Sequence, residues 1–89
     1  MKLYLVHCGF YDLELCEGIY ESHVNLLIVA SDFDDAKVRV RENTEFKKRK
    51  MHVDGLQEIS IVSGFNINLT LHPTRLNETV LISNSHRDL

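Results

Sequence analysis

Residues 23–30 most restrict the fold, because this run of eight residues (HVNLLIVA) has no Asp, Glu, Lys or Arg. Its apolar side chains fall on both alternating faces of an extended strand. A strand of that kind is central and covered on both sides, or it is covered on one side and faces a partner on the other. Residues 2–8 form a second apolar run that ends at Gly9 and predicts a first strand. An acidic loop is expected over residues 10–21, between the two strands.

A helix start follows the second strand. Ser31 or Asp32 can accept hydrogen bonds from the free N–H groups of a first helical turn, and the local acidic residues suit the positive end of the helix dipole. Residues 37–41 also alternate as in a strand, but the cap and a basic end favour a helix over about 33–46. The apolar residues at helical spacing are Phe33, Ala36 and Val40.

The clearest hairpin signal comes from two neighbouring runs, residues 56–62 and 65–71. A two-residue turn would pair Val62 with Phe65. A three-residue loop would pair Ile61 with Phe65 instead, and it would place Gly64 in the left-handed conformation that such loops need. The sequence therefore favours the three-residue loop.

These elements predict an α+β fold, a two-layer sandwich with one helix packed on a mixed four- to five-stranded sheet in the order ββαββ. Residues 1–71 are expected to form the single domain. Residues 72–89 are expected to be a C-terminal extension, with an optional short strand at 79–83 and a loose end. A chain this short buries only about 60–65% of its unfolded surface, so association would help it.

Composition excludes several broad classes of protein. A hydrophobic fraction of 44% and a charged fraction of 26% are ordinary for a folded domain, and the net charge of -3 gives no global reason to bind nucleic acid or a membrane. The apolar start is interrupted by His7 too early for a secretion signal. We therefore expect a cytoplasmic protein with no membrane partner. Its cysteines, Cys8 and Cys16, are expected to be reduced, and their spacing matches no zinc or redox motif.

Five titratable residues are expected to gather at one end of the sheet. If the first two strands are antiparallel neighbours, the end of the first lies beside the start of the second. The helix then returns the chain to the same end, so the third strand runs parallel to the second, with a right-handed crossover. The residues brought together in this way are His7, Glu21, His23, His52 and Asp54.

Two pairs of residues in this group carry the candidate chemistry, Glu21 with His23 and His52 with Asp54. Residues at i and i+2 of an extended strand project to the same face. Two histidines and two carboxylates can bind zinc or another divalent ion, bind a small ligand, or act as acid and base. Such pairs also arise by chance in a chain with 5 His and 13 acidic residues. A structural hydrogen-bonded cluster is therefore the leading interpretation, and we assign no catalytic residue and no cofactor.

A basic segment offers a separate candidate site. Of the 10 Lys and Arg residues, 7 lie between positions 37 and 50, and a group of four could contact phosphates. A solvated helix end whose cations complement the dipole explains the same pattern, and no aromatic residues interleave to stack on bases. Nucleic acid is therefore not expected to be the main partner. The four residues are Lys47, Lys48, Arg49 and Lys50.

Apolar surface exceeds what one small core and one helix can bury. Residues 23–30, Val38 and the segment 80–82 all contribute to it. This excess favours a homodimer or a larger assembly. The leading functional expectation is thus a non-enzymatic module that binds itself or an unknown protein partner. The alternatives are the ligand or metal site at the sheet end and, third, weak nucleic-acid contact through the basic segment.

Several short motifs occur in a fixed order along residues 1–70. They are Cys8-Gly9, Glu21-Ser22-His23, Val29-Ala30-Ser31, His52-Val53-Asp54 and Val62-Ser63-Gly64-Phe65-Asn66-Ile67. In this order they resemble the bacterial family known as domain of unknown function 1543. The chain has less glycine in its first loop than that family, and it has Ser63 and Phe65 where Asp and Tyr are commoner. The resemblance implies a shared fold and points to the two histidine–carboxylate pairs, but that family has no assigned activity.

Overall fold

A computed structural model describes residues 1–14 and 19–85 of the chain. It confirms the α+β class, with a three-stranded antiparallel sheet, a second two-stranded sheet and two short helices. Cys16 and the last part of the predicted loose end lie outside the described residues. The elements in chain order are β1 (Lys2–Tyr11), β2 (Glu21–Ala30), α1 (Phe33–Arg41), α2 (Thr44–Lys48), β3 (His52–Ile59), β4 (Ile61–Val62) and β5 (Phe65–Asn66).

The main sheet has the strand order β2-β1-β3. Strand β1 pairs antiparallel with β2 from Lys2↔Ala30 to Tyr11↔Glu21, and antiparallel with β3 on its other side. Strands β2 and β3 therefore run in the same direction, as the topology predicts, but β1 lies between them. The sheet is consequently antiparallel throughout and not mixed. It has three strands and not four or five, and β2 lies at an edge and not at the centre.

The hydrophobic core lies on one face of this sheet. Alternate residues of β1 point to that face, and α1 covers them with Ala36 and Val40. The opposite face, which we call the open face, carries Leu27 and Val29 of β2, and these side chains are 41% and 43% exposed. Strand β2 is thus covered on one side only, and the expected partner on its other side stays a prediction. The buried side chains of β1 are Tyr4, Val6, Cys8 and Phe10.

The predicted single helix over 33–46 is instead two helices. Asp32 caps α1 by accepting a hydrogen bond from the N–H of Asp35 (2.7 Å). Asp35 in turn accepts from the N–H of Ser31 (2.9 Å), and this bond, with the nearby Arg39 guanidinium, holds the pKa of Asp35 below its usual value. The break comes at Asn43, whose side chain accepts from the N–H of Phe46 (3.1 Å) and starts α2. A side chain that accepts a hydrogen bond from a nearby backbone N–H, as Asn43 does, can start a new helix and so interrupt a continuous one.

The turn of the hairpin is also different from the one predicted. Val62 pairs with Phe65, and Ile61 with Asn66, so the turn has two residues. The expectation of a three-residue loop was wrong because Ser63 (φ 52) adopts a left-handed conformation together with Gly64 (φ 82). Two consecutive left-handed residues are what a type I′ hairpin turn requires.

The chain beyond the hairpin is largely exposed. The optional strand at 79–83 is not formed, and of residues 61–85 only Ile67 is partly buried. The hairpin is a separate sheet and does not extend the main one. The division into a domain at 1–71 and an extension at 72–89 stays a prediction. None of the described helices is both long and apolar enough to cross a membrane.

Tyr4 is a core residue that lowers the stability of the folded chain. Its side chain is buried, and its hydroxyl has no hydrogen-bond partner among the described residues. Burial raises the pKa of Tyr4. We expect Tyr4→Phe to raise the melting temperature by a few degrees, because the ring keeps its edge contact with Phe33 (5.2 Å) and an unsatisfied polar group is removed. Thermal unfolding followed by circular dichroism tests this, with the exposed Tyr11→Phe as control. A lower melting temperature for Tyr4→Phe would contradict it.

Candidate functional site

The sheet brings two histidines to the sides of one glycine. Gly9 of β1 is paired with His23 of β2 on one side and with His52 of β3 on the other. Because paired residues of neighbouring strands share a face, both imidazoles stand beside Gly9 on the open face. The antiparallel pairing of β1 with both neighbours fixes this arrangement.

The two carboxylates complete a ring of four side chains. His52 Nε2 contacts Glu21 Oε1 and lies 3.2 Å from Asp54 Oδ1. His23 Nε2 lies 3.1 Å from Asp54 Oδ2 and 3.5 Å from Glu21 Oε1. Each imidazole therefore touches both carboxylates. The structure thus brings together all four side chains of the two predicted pairs.

A β-bulge aims Asp54 at this ring. His7 is paired with Gly55 and Cys8 with Val53, so Asp54 lies between two successive pairs and has no partner on β1. Because of this extra residue, Asp54 stays on the same face of the sheet as His52. From Gly55 onward, the residues of β3 that face each side are shifted by one position. Bulges are common beside functional sites, where they redirect a side chain.

Gly9 provides the space in which the ring forms. A Cβ atom at this position would lie 2.6 Å from Asp54 Oδ2 and 2.6 Å from His52 Nε2, and it would overlap the carboxylate of Glu21. Any other residue would push these groups apart. Glycine inside a strand often marks such a close approach, and here it allows three strands to contribute to one small site.

His7, the fifth residue of the predicted group, lies at the edge of the ring. Its imidazole stacks on that of His23, with ring centroids 4.9 Å apart and planes 5° apart. His7 Nδ1 donates to Asn25 Oδ1 (2.8 Å), because an amide oxygen can only accept. The free lone pair of His7 is then on Nε2, as in histidines that bind metal ions through one nitrogen and are oriented through the other.

Two overlapping sets of three ligand atoms arise from these positions. One set is His7, His23 and Asp54, the other is Glu21, His52 and Asp54, and within each set the atoms lie within 4.8 Å of one another. The second set holds two carboxylates at that separation. Like charges so close repel each other, and a cation between them relieves the repulsion.

Most imidazole–carboxylate distances within the ring are shorter than the ligand spacing around one tetrahedral metal ion. Four ligands at about 2.1 Å from a tetrahedral zinc ion are about 3.4 Å from one another. The four measured separations in the ring run from 2.5 to 3.5 Å. The side chains would therefore have to move apart to admit an ion, and His23 and His52 belong to different sets of three candidate ligands.

The exposure of the ring argues against a purely structural role. The side chains of His23 and His52 are 40% and 47% exposed, and those of Glu21 and Asp54 are 29% and 33% exposed. Exposed ion pairs contribute at most about 1 kcal/mol to stability. The ring is thus accessible to ions and small ligands, and it adds little to the stability of the sheet.

The other predicted residues lie away from this site. Arg49 already contacts three neighbouring side chains. Its guanidinium lies over the ring of Phe10 (4.9 Å) and forms ion pairs with Glu45 (3.1 Å) and Asp12 (3.8 Å). The lysines of the basic segment, Lys47, Lys48 and Lys50, are exposed. Phosphate contact by these four residues stays a prediction.

Cys8 is a core residue. Burial, with the nearby charge of Asp54, raises the pKa of its thiol, and Sγ donates to the carbonyl of Val6 (3.7 Å). A thiol that resists ionisation is a poor nucleophile. Cys8 therefore packs beneath the site and takes no part in it.

Sequence reasoning did not find Gly9, Asn25 or the bulge at Asp54. A glycine at the end of an apolar strand was visible, but its role depends on which residues lie beside it in the sheet. No protein-family profile, curated protein or solved structure matches the chain.

Proposed function

We propose that this protein binds one divalent transition-metal ion at the end of its sheet, through His23, His52, Glu21 and Asp54. The observation that carries the proposal is the closed ring above Gly9, in which each imidazole Nε2 touches both carboxylates. Strands β2 and β3 hold the ligands on either side of Gly9 in β1, so the folded sheet pre-organises the site.

The types of ligand indicate the class of metal. Two neutral imidazoles and two carboxylates carry a formal charge of about -2, which a divalent ion neutralises. Imidazole nitrogen suits zinc, iron, cobalt, nickel and copper, whereas calcium and magnesium prefer sites built from oxygen alone. Zinc or another first-row transition metal is therefore the expected ion.

The open side of the ring determines what such an ion could do. An ion that accepts more than four ligands keeps positions toward solvent, and a bound ion supplies Lewis acidity to water or a ligand oxygen there. His7, which donates to Asn25 and stacks on His23, lies at the edge of the ring. The same four side chains could bind a small ligand without metal, or serve as acid and base, and the experiment below separates these cases.

Calorimetric titration of chelator-treated protein tests the proposal. Zn²⁺ is expected to bind with a stoichiometry of one per chain and to raise the melting temperature, because only the folded chain presents the site. Mg²⁺ and Ca²⁺ at the same concentration are expected to give no heat and no shift. Absence of binding by Zn²⁺, Co²⁺, Ni²⁺ and Mn²⁺ alike would overturn the metal proposal and leave the metal-free alternatives.

Self-association is a second function that we propose, as a non-enzymatic module that forms a homodimer. A specific observation favours it: the apolar side chains of Leu27, Val29, Leu71 and Ile82 are 41%, 43%, 81% and 98% exposed. A single folded chain rarely leaves so much apolar surface in water. In such a dimer, strands from two chains would supply the four- to five-stranded, two-layer arrangement that the sequence predicts. Light scattering that returns a monomer at micromolar concentration would contradict this proposal.

Three further proposals depend on the sequence alone. They are a cytoplasmic location, a fold shared with domain of unknown function 1543, and weak phosphate contact through Lys47, Lys48, Arg49 and Lys50. The last is tested with random oligonucleotides, because phosphate contacts strengthen at low salt. Absence of binding at low salt would contradict the proposed phosphate contact.

A further inference from the structure

Residues 60–85, which we call the C-terminal arm, are packed unlike the remainder of the chain. The arm begins where β3 ends and contains the β4–β5 hairpin. Among its described residues only Ile67 is partly buried. Nine large apolar side chains of the arm are exposed: Ile61, Val62, Phe65, Leu69, Leu71, Leu76, Val80, Leu81 and Ile82.

The arm is also nearly free of charge. Of its 26 residues only Arg75 and Glu78 are charged, and they lie 3.6 Å apart as a pair. The whole chain is 26% charged, so a segment kept in water would be expected to carry several more. Depletion of charge with retention of large apolar side chains is the composition of an interface core.

The arm has little regular secondary structure beyond the β4–β5 hairpin. Its hairpin is closed by the N–H of Ile67 donating to Ser60 O (2.9 Å), and a turn is formed where the N–H of Glu78 donates to Arg75 O (3.5 Å). In the part of the arm that the structure describes, no strand lies beyond Asn66. Backbone that lies outside a strand ladder can pair with the edge of another sheet.

The dimensions of the molecule show more exposed surface than a compact chain of this length has. The radius of gyration is 15.2 Å, whereas a compact chain of this length has about 12 Å. The accessible surface is 7514 Å², compared with about 5,400 Å² for a folded monomer of this size. Burying an excess of about 2,100 Å² on each of two chains would give an interface of about 4,200 Å², which is the size of obligate homodimer interfaces.

A receiving surface for the arm lies on the open face of the sheet. A groove of about 510 Å³ runs over β1 there, and no Asp, Glu, Lys or Arg lines it. Gly55 widens it, because a Cβ at this position would meet only His7 Cβ, at 3.7 Å. Leu27 and Val29 lie half-exposed on the same face. The groove is lined by Leu5, His7, Asn25, Gly55, Leu56 and Gln57.

We propose that the arm of one chain docks on the open face of a second copy, and that the second copy returns the same contact. This inference rests on the self-association proposed above and is independent of the metal site. Each chain carries both the arm and the open face that receives it. A two-fold dimer therefore makes this contact twice and leaves no arm or open face without a partner. In a fully extended conformation, residues 65–71 would span about 23 Å, which is enough to cross most of the sheet face.

Charge placed in the arm tests the docking by sizing. We expect Leu71→Glu and Leu81→Glu each to raise the dimer dissociation constant at least about 10-fold, because each places a charge in an apolar contact. The control is Val38→Glu, at a 55% exposed apolar side chain on α1, which is expected to leave the dimer unchanged. Equal weakening by all three variants would overturn the role of the arm.

Paramagnetic relaxation distinguishes the docking mode from association itself. A nitroxide is attached to Leu71→Cys in a Cys16→Ser background, where the buried Cys8 thiol stays unlabelled, and this chain is mixed with ¹⁵N-labelled unmodified chain. Broadening of the amide signals of Leu5, Leu27 and Val29 in the labelled chain is expected. A dimer that broadens the helical face instead would overturn the docking while self-association stands. A monomer under the same conditions would overturn both.

Discussion

Replacing His52 with alanine is expected to lower the affinity of the protein for Zn²⁺ by at least about 100-fold. His52 Nε2 touches both carboxylates of the ring, at Glu21 Oε1 and at Asp54 Oδ1 (3.2 Å). Losing a group that merely orients a ligand typically lowers metal affinity 10- to 100-fold, and His52 is proposed as a ligand itself. Competition with a chromophoric chelator measures the change.

The matched control for His52→Ala is His72→Ala. His72 is exposed and lies in the arm, where its ring accepts from the N–H of Thr74 (3.1 Å). This control is expected to bind Zn²⁺ as tightly as the unmodified protein. Urea unfolding of the metal-free variants separates binding from folding, and His52→Ala should change the free energy of unfolding by less than about 1 kcal/mol. A large loss of stability with unchanged zinc affinity would instead support the structural interpretation of the cluster.

Gly9→Ala is expected to lower zinc affinity at least about 10-fold while the sheet remains folded. The new Cβ would meet the far ends of the Glu21, Asp54 and His52 side chains, at 2.6 Å for the last two. Exposed side chains can swing away from a methyl group, so the fold tolerates the change, but the ligands then no longer converge. Sites of this kind lose function when the ligands move by about 0.5 Å or more.

Gly55→Ala is the control for this substitution. Gly55 is on the neighbouring strand of the same sheet, and its added Cβ would meet only His7 Cβ, at the ordinary contact distance of 3.7 Å. Both variants replace a strand glycine by alanine, so their effects on backbone entropy are similar. Equal zinc affinities for Gly9→Ala and Gly55→Ala would contradict the role given to Gly9.

The position of the site follows from sequence signals that act over short distances. A predicted first strand that ends at Gly9, a predicted second strand over residues 23–30 and a helix that starts after Ser31 leave few ways to connect the elements. Antiparallel pairing of the first two strands then places the start of the third strand at the same end. The order of apolar and polar residues and the helix cap therefore determine which residues lie near one another.

The details that make the site specific depend on contacts between distant parts of the chain. Gly9 matters because His23 and His52 are paired with it across two strands, and Asp54 is aimed by a bulge that no local pattern announces. The edge position of β2 could not be read either, because its apolar pattern is equally typical of a central strand. Two other differences have local causes. Asn43 prefers a helix cap and therefore interrupts the predicted continuous helix. Ser63 accepts a turn conformation and therefore allows a two-residue turn in place of the predicted three-residue loop.

The ring and the groove share the open face of the sheet. His7 joins them, because it stacks on His23 in the ring and also lines the groove. An arm that docks in the groove of a second copy would therefore contact His7, the neighbour of a proposed ligand. The two proposals are nevertheless separable, because the arm variants leave all four ligands in place.

The most direct test of the proposed metal site is long-range ¹H–¹⁵N NMR of the histidine side chains during a Zn²⁺ titration. This experiment reports which ring nitrogen of each histidine binds the ion. We predict that Nε2 of His23 and Nε2 of His52 both shift to the values of metal-bound nitrogen at one equivalent of Zn²⁺, while His72 does not change. Saturation without a shift at His23 and His52, or a shift confined to His72, would contradict the proposed site.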